Sequence, residues 1–100
     1  MLKHVVMWKF KDFAEGASKD RNLRTAKELL DVLPSRIPAI KSLEVGIDTL
    51  HTESSHDLVL CSAFENQQTL DEYQKHPEHV KVVGFLRKVH QGKVVVDFEV

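Results

Sequence analysis

Hydrophobic and polar residues follow two different periods along the chain, and each period predicts one kind of element. From Leu2 to Phe10 every second residue falls on the same face, which predicts a first strand. After Ser18, a residue type that often caps helices, apolar residues recur every three or four positions until Pro34 and Pro38. This second stretch predicts the first helix.

The rest of the chain predicts two more strands, a pair of helices and a closing strand. In chain order these are strands at residues 41–49 and 58–64, helices at residues 66–75 and 77–90, and a strand at residues 93–100. The helix pair divides at His76 and Pro77, because a residue before proline leaves the helical region and proline fits the first turn of a new helix. Gln91 and Gly92 are expected to turn the chain. The inner face of the second helix is expected to hold Val80, Val83, Leu86 and Val89.

The order of these elements predicts an α+β fold, a ferredoxin-like βαββαβ subunit that occupies residues 1–100 as one domain. Its helices should cover one face of the sheet. The first and third strands carry apolar residues on both faces, and so short a chain has no further layer to cover the second face. We therefore expect a homodimer in which two sheets pack face to face, because a two-fold pairing is the simplest closed arrangement.

Charge and cysteine content narrow the expected partners. Lysine and arginine number 14 against 15 aspartate and glutamate residues, so the net charge of −1 favours neither nucleic acid nor an anionic membrane as a partner. No export signal is recognisable at the amino end. Cys61 is the only cysteine, and its apolar neighbours predict a small buried residue in a reducing compartment. A cytoplasmic location is expected.

The segment EYQKHPEHV places candidate chemistry at the helix break. Tyr73 and His79 flank the bend, so both side chains could turn toward one cavity, with His79 as a general base and Tyr73 as a hydrogen-bond donor. His4 could project from the first strand toward the same place. The alternative is structural: Tyr73 packs in the core with its hydroxyl at the rim, and His79 bonds a backbone carbonyl. His76 is expected to cap a helix end.

Metal and cofactor sites are not expected from these residues. His76 and His79 lack the further ligands that a zinc site needs, since the chain has no cysteine pair and no HExxH motif. His51, His56 and His90 lie in polar turn or helix-end contexts and are expected to be solvated. Cys61 has no cationic neighbour in sequence that would activate its thiol.

Four segments, KHVVMWKFK, IPAIKSLEVGID, YQKHPEHV and VVVDFEV, resemble the stress-responsive dimeric α/β-barrel family, often called Dabb. The resemblance spans nearly the whole chain and implies a ferredoxin-like subunit whose dimer closes two sheets into a barrel. One plant member acts as a cofactor-free polyketide cyclase, with a tyrosine and a histidine that match Tyr73 and His79, and a pocket histidine that matches His4. Many members have no known activity, and related families include monooxygenases.

Three functions are compatible with these observations. We expect a homodimer that binds a small apolar molecule in a cavity lined by His4, Tyr73 and His79. The second possibility is a cofactor-independent cyclase or lyase with His79 and Tyr73 as its catalytic residues. The third is a protective stress protein whose assembly is its function and which has no small-molecule site.

Overall fold

Four long strands form one antiparallel sheet in the computed structural model, which describes every residue from Met1 to Val100. The strands are β1 (Leu2–Phe10), β2 (Phe13–Ala14), β3 (Ala17–Ser18), β4 (Ser42–Ile47), β5 (Leu58–Phe64) and β6 (His90–Glu99). The sheet order is β4-β5-β1-β6, so the first strand lies between β5 and the last strand. Strands β2 and β3 form a separate short hairpin.

The chain forms four helices, and side chains cap the free backbone N–H groups at the start of all but the second. They are α1 (Lys19–Asp31), α2 (Leu33–Arg36), α3 (Gln67–Lys75) and α4 (Pro77–Val89). The Ser18 hydroxyl accepts a hydrogen bond from the Arg21 N–H at 3.3 Å, and Asn66 and Thr69 cap α3 reciprocally. None of the helices is both long and apolar enough to cross a membrane.

One face of the sheet, here called the inner face, is covered by the helices. Alternation along β1 sends His4, Val6, Trp8 and Phe10 to this face, and all four are buried. They pack with apolar side chains of α1, α3 and α4 in one core, which buries Phe10 completely. The predicted α+β arrangement, with helices on one side of an antiparallel sheet, is thus confirmed.

The opposite face of the sheet, here called the outer face, carries no helix. It presents the alternate residues of the same strands, and its exposed large apolar side chains include Met7, Val94, Val96 and Phe98. Cys61 also lies on this face and is exposed, so its predicted burial is wrong for a single chain. Sheet pairing places Cys61 opposite Val5, and no element of the subunit reaches them from outside.

Two local predictions in the second half of the chain are wrong. Val80 is 56% exposed, because α4 turns Val82, Leu86 and Val89 into the core and leaves Val80 outside it. Gln91 and Gly92 do not form a turn: they belong to β6, which begins at His90 directly after α4.

The β2–β3 hairpin is a feature that the pattern did not predict. Its turn residues Glu15 and Gly16 both have positive φ angles, 51° and 73°. A two-residue hairpin turn of this kind needs positive φ at both positions, which asparagine or aspartate followed by glycine adopts most readily. Because glutamate is not one of the favoured residues, the sequence signal for the hairpin is weak.

Candidate functional site

A cavity of about 180 Å³ lies between α4 and the inner face of the sheet. It opens beside β6, the edge strand that the helices cover least. Its walls are apolar in the middle, where Val6, Trp8, Val82 and Leu86 contribute, and polar at both ends. The three residues predicted to form a site, His4, Tyr73 and His79, all line it.

Tyr73 stands at the end of α3, where the helical spacing from Leu70 turns it inward. The whole residue is buried, and its hydroxyl has no hydrogen-bond partner within the protein. The hydroxyl is therefore inside the structure, not at the rim where the structural alternative placed it. Burial raises the pKa of this phenol well above its usual value, so the group stays protonated and can donate a hydrogen bond.

His79 lies in the first turn of α4, directly after the bend. Its Nδ1 is 3.1 Å from the backbone carbonyl oxygen of Gln74. A carbonyl only accepts, so Nδ1 carries the proton and Nε2 of the neutral ring holds a free lone pair. Burial lowers the pKa of His79, and the nearby His4, Lys93 and His76 lower it further, while the bond to Gln74 opposes the shift.

The rings of Tyr73 and His79 are in contact. Their centroids are 4.3 Å apart with an angle of 48° between the planes, and the His4 ring lies 6.5 Å from the Tyr73 ring. A proton donor with a raised pKa thus sits beside a base with a lowered pKa. Such a pair can polarise a carbonyl oxygen and accept a proton from an adjacent carbon.

His4 is fixed by a carboxylate that sequence reasoning missed. Its Nδ1 lies 2.5 Å from Oδ1 of Asp97, the residue paired with it across β1 and β6. A carboxylate accepts hydrogen bonds, so Nδ1 carries the proton of this bond and the bond fixes the orientation of the imidazole ring. An isolated aspartate in the apolar run VVVDFEV is the sequence signal that could have identified it.

The other histidines divide between structural and site positions. Nδ1 of His76 accepts a hydrogen bond from the Glu78 N–H at 3.1 Å, which confirms its predicted capping role. His90, predicted to be solvated, instead lines the cavity, and its buried Nδ1 has no partner. Burial lowers the pKa of His90, with Lys93, Lys11 and Arg87 acting in the same direction. No three His, Cys, Asp or Glu side chains lie close enough together to hold a metal ion.

Comparison with known proteins identifies the family. The model of the Stress responsive A/B Barrel Domain, Dabb, matches residues 2–100. The chain belongs to the Dabb family. Its fold and the predicted family resemblance are thereby confirmed, since the match covers the sheet and all four helices.

Three relatives show how far the similarity extends. Olivetolic acid cyclase of Cannabis sativa is 27% identical over 99 residues, which cover 97% of this chain and 94% of the cyclase. A dimeric protein of unknown function with a ferredoxin-like fold from Bacteroides fragilis is 26% identical, with a TM-score of 0.83 over 99% of this chain and 95% of that chain. Hydroxynitrile lyase from Passiflora edulis is 14% identical, with a TM-score of 0.79 over 97% and 90% of the two chains, and shares the fold.

Proposed function

We propose that this Dabb protein is a homodimer that binds a small, largely apolar molecule in the inner-face cavity. The observation that carries the proposal is the Tyr73 hydroxyl, which is buried beside the cavity and has no partner in the protein. A buried hydroxyl without a hydrogen bond costs roughly 1–3 kcal/mol. A ligand oxygen in the cavity would accept that bond and recover the cost.

The size and lining of the cavity define the ligand class. A cavity of about 150 Å³ with apolar walls can hold benzene, so the 180 Å³ here is sufficient for one ring or a short branched chain. The apolar middle would contact the body of such a molecule, while His4, Tyr73 and His79 would bind a single oxygen function at one end. The expected ligand is therefore a one-ring or short-chain ketone, aldehyde or acid.

Thermal-shift measurements with one-ring and short-chain carbonyl compounds test this proposal. A binder at ten times its Kd stabilises the folded state by about 1.4 kcal/mol, which raises the Tm of so short a chain by about 5 °C or more. Val83→Phe should abolish the shift, because Val83 lines the cavity. Val80→Phe is the matched control, since Val80 lies on the same helix but is exposed and outside the cavity. If no compound shifts the Tm, or if Val83→Phe responds like Val80→Phe, the cavity is not a binding site and a protective role is favoured.

The outer face supports the homodimer. Val94, Val96 and Phe98 are 50%, 62% and 43% exposed in the single chain, and they continue onto Met7 of the neighbouring strand. A contiguous apolar surface of this kind is typical of an interface. The relative from Bacteroides fragilis, with the same subunit fold, is dimeric. We place the two-fold contact on the outer face, which leaves the cavity mouth of each subunit free.

A charge in the centre of the outer face tests the dimer. Val96→Glu would have to bury a carboxylate against the partner subunit, which costs several kcal/mol, so sedimentation should show a monomer. Val80→Glu introduces the same charge on exposed α4 and should leave the dimer intact. A monomeric wild-type protein at micromolar concentration, or a Val96→Glu protein that is as dimeric as the control, would contradict the proposed interface.

A second candidate function is catalysis without a cofactor, favoured by the free Nε2 of His79 beside the protonated Tyr73. In this scheme the C–H bond next to a substrate carbonyl breaks, the proton moves to Nε2 of His79, and the electron pair moves onto the carbonyl oxygen. The Tyr73 hydroxyl would hydrogen-bond that enolate oxygen. The similarity to olivetolic acid cyclase at 27% identity supports this class of reaction.

Exchange of the substrate α-hydrogen in D₂O measures this proton transfer without any assumption about the final product. With a one-ring β-keto compound, the wild-type protein should accelerate exchange, and His79→Ala should reduce the acceleration by 10²-fold or more. His51→Ala is the control, because His51 is exposed and does not line the cavity. If a compound binds but its exchange is equally fast with and without His79, binding stands and catalysis by His79 does not. The cytoplasmic location and the single domain over residues 1–100 remain predictions.

A further inference from the structure

The end of the cavity opposite the His4–Asp97 pair is cationic. Arg87, His90 and Lys93 line it, and none of them takes part in the proposed carbonyl chemistry. Lys93 and Asp97 lie on the same face of β6 four residues apart, which separates their backbones by about 13 Å. His79 and Arg87 are eight residues apart on α4, or about 12 Å along its axis. The two polar ends of the cavity are thus built on backbone positions about 12–13 Å apart, although the Lys93 charge still reaches His79.

The cationic groups are not neutralised by the protein itself. Neither Arg87 nor Lys93 forms a salt bridge with an acidic residue, whereas Lys88, next to Arg87, pairs with Glu15. Asp97, the only acidic residue in the cavity lining, is bonded to His4 at the other end. The Nδ1 of His90 adds a buried polar atom without a partner.

Arg87 lies on the side of α4 that faces the cavity, and the preference for cations in the last turn of a helix does not by itself explain this position. Residues 79, 82, 83, 86 and 87 recur at helical spacing and form the stripe of α4 that lines the cavity, and His90 follows at the start of β6. A cation in the last turn also favours the helix dipole, but the adjacent Lys88 provides that contribution and pairs with Glu15 at 3.8 Å, away from the cavity. Arg87 thus supplies a second charge where the stripe reaches the cavity mouth.

We infer that Arg87, Lys93 and His90 form an anion anchor, and that the ligand is a small apolar carboxylic acid bound with its carboxylate at this end. This inference rests on the proposed ligand-binding function and adds the charge and orientation of the ligand. The carboxylate would accept hydrogen bonds from the Arg87 guanidinium and the Lys93 ammonium. The apolar body would fill the middle of the cavity, and any second oxygen function would reach Tyr73.

Titration with benzoate and benzamide, monitored by NMR or calorimetry, tests the anchor. The two probes have nearly the same shape and differ in charge, so benzoate should bind the wild-type protein at least tenfold more tightly. Raising the ionic strength should weaken the binding of benzoate but not that of benzamide, because salt screens the partly exposed charges of the anchor. Equal affinity for the two probes would overturn the anchor and leave the cavity as a binding site, whereas no binding of either probe at millimolar concentration would overturn both.

Variants that each remove one positive charge test which residues cause the preference for benzoate. Arg87→Gln and Lys93→Gln should each reduce benzoate affinity by threefold to tenfold and leave benzamide affinity unchanged. Lys88→Gln removes the same charge from the same helix turn outside the cavity and should change neither affinity by more than twofold. All three side chains are exposed, so the variants should retain the wild-type Tm within a few degrees. If Lys88→Gln weakens benzoate as much as Arg87→Gln, the preference reflects general surface charge and the anchor is refuted.

Discussion

The inner and outer faces of the sheet are built from alternate residues of the same strands, yet they meet different surroundings. On the inner face Phe10 is completely buried by the helices of its own chain, whereas Phe98 on the outer face is 43% exposed. Both faces are apolar, but only the inner one includes paired polar groups such as His4 and Asp97. This difference supports our proposal that the inner face binds the ligand and the outer face forms the dimer.

The largest expected effect is on the free energy of unfolding, and its dependence on protein concentration should differ between substitutions on the two faces. Phe10→Ala leaves a cavity in the subunit core and should reduce the free energy of unfolding by about 3–5 kcal/mol at every protein concentration. Phe98→Ala should destabilise the protein mainly where dimers form, because the proposed interface covers its ring with the partner subunit. Denaturation at nanomolar and at high micromolar concentrations measures both. If Phe98→Ala lowers the free energy of unfolding equally at all protein concentrations, this ring lies outside the interface.

A smaller change, an increase in the free energy of unfolding, is expected for a substitution at Tyr73. Tyr73→Phe removes a hydroxyl that is buried without a partner, so the free energy of unfolding should rise by about 1 kcal/mol. The same change removes one hydrogen bond to a ligand and should weaken binding of a carbonyl compound by threefold to tenfold. Denaturant unfolding and ligand titration of the same variant measure the two results. A destabilised Tyr73→Phe protein would mean that the hydroxyl already has a partner.

The smallest expected effect is the change of folding stability with pH that arises from His79. Because burial lowers its pKa in the folded state, the unfolded chain binds the proton more readily below the ordinary histidine value of about 6.5. The contribution of this group to stability is therefore complete above that pH and is lost as the pH falls toward the folded-state pKa. NMR titration of the ring and unfolding between pH 7.5 and 5 measure it. His79→Gln should flatten this part of the pH profile, and an unchanged profile would show that His79 titrates normally.

Local signals in the sequence predicted most of the fold. The alternation in β1 and the helix break at His76 and Pro77 each depend on neighbouring residues, so one chain is sufficient to predict them. Burial was predicted less well for residues whose surroundings depend on how a helix packs against the sheet. Val80 was predicted to face the core and is exposed, while Val82 is buried, because the buried face of α4 depends on how the helix packs on the sheet.

The candidate site was predicted only in part for the same reason. His4, Tyr73 and His79 were predicted to share a cavity, and they line one. The partnership of His4 with Asp97 joins residues 93 positions apart and depends on the register of β1 and β6, which a single sequence does not specify. His90 was assigned to a solvated helix end because the helix was expected to lead into a turn, whereas β6 starts there and carries His90 against the cavity.

A crystal structure of the protein with a saturating one-ring ketone tests the assignment of chemistry to the inner face most directly. The account predicts the ring between β1 and α4, packed against Trp8 and Leu86, with a ligand oxygen within hydrogen-bond distance of the Tyr73 hydroxyl. A ligand seated on the outer face, or a cavity that holds only water at a concentration that saturates binding in solution, would contradict it.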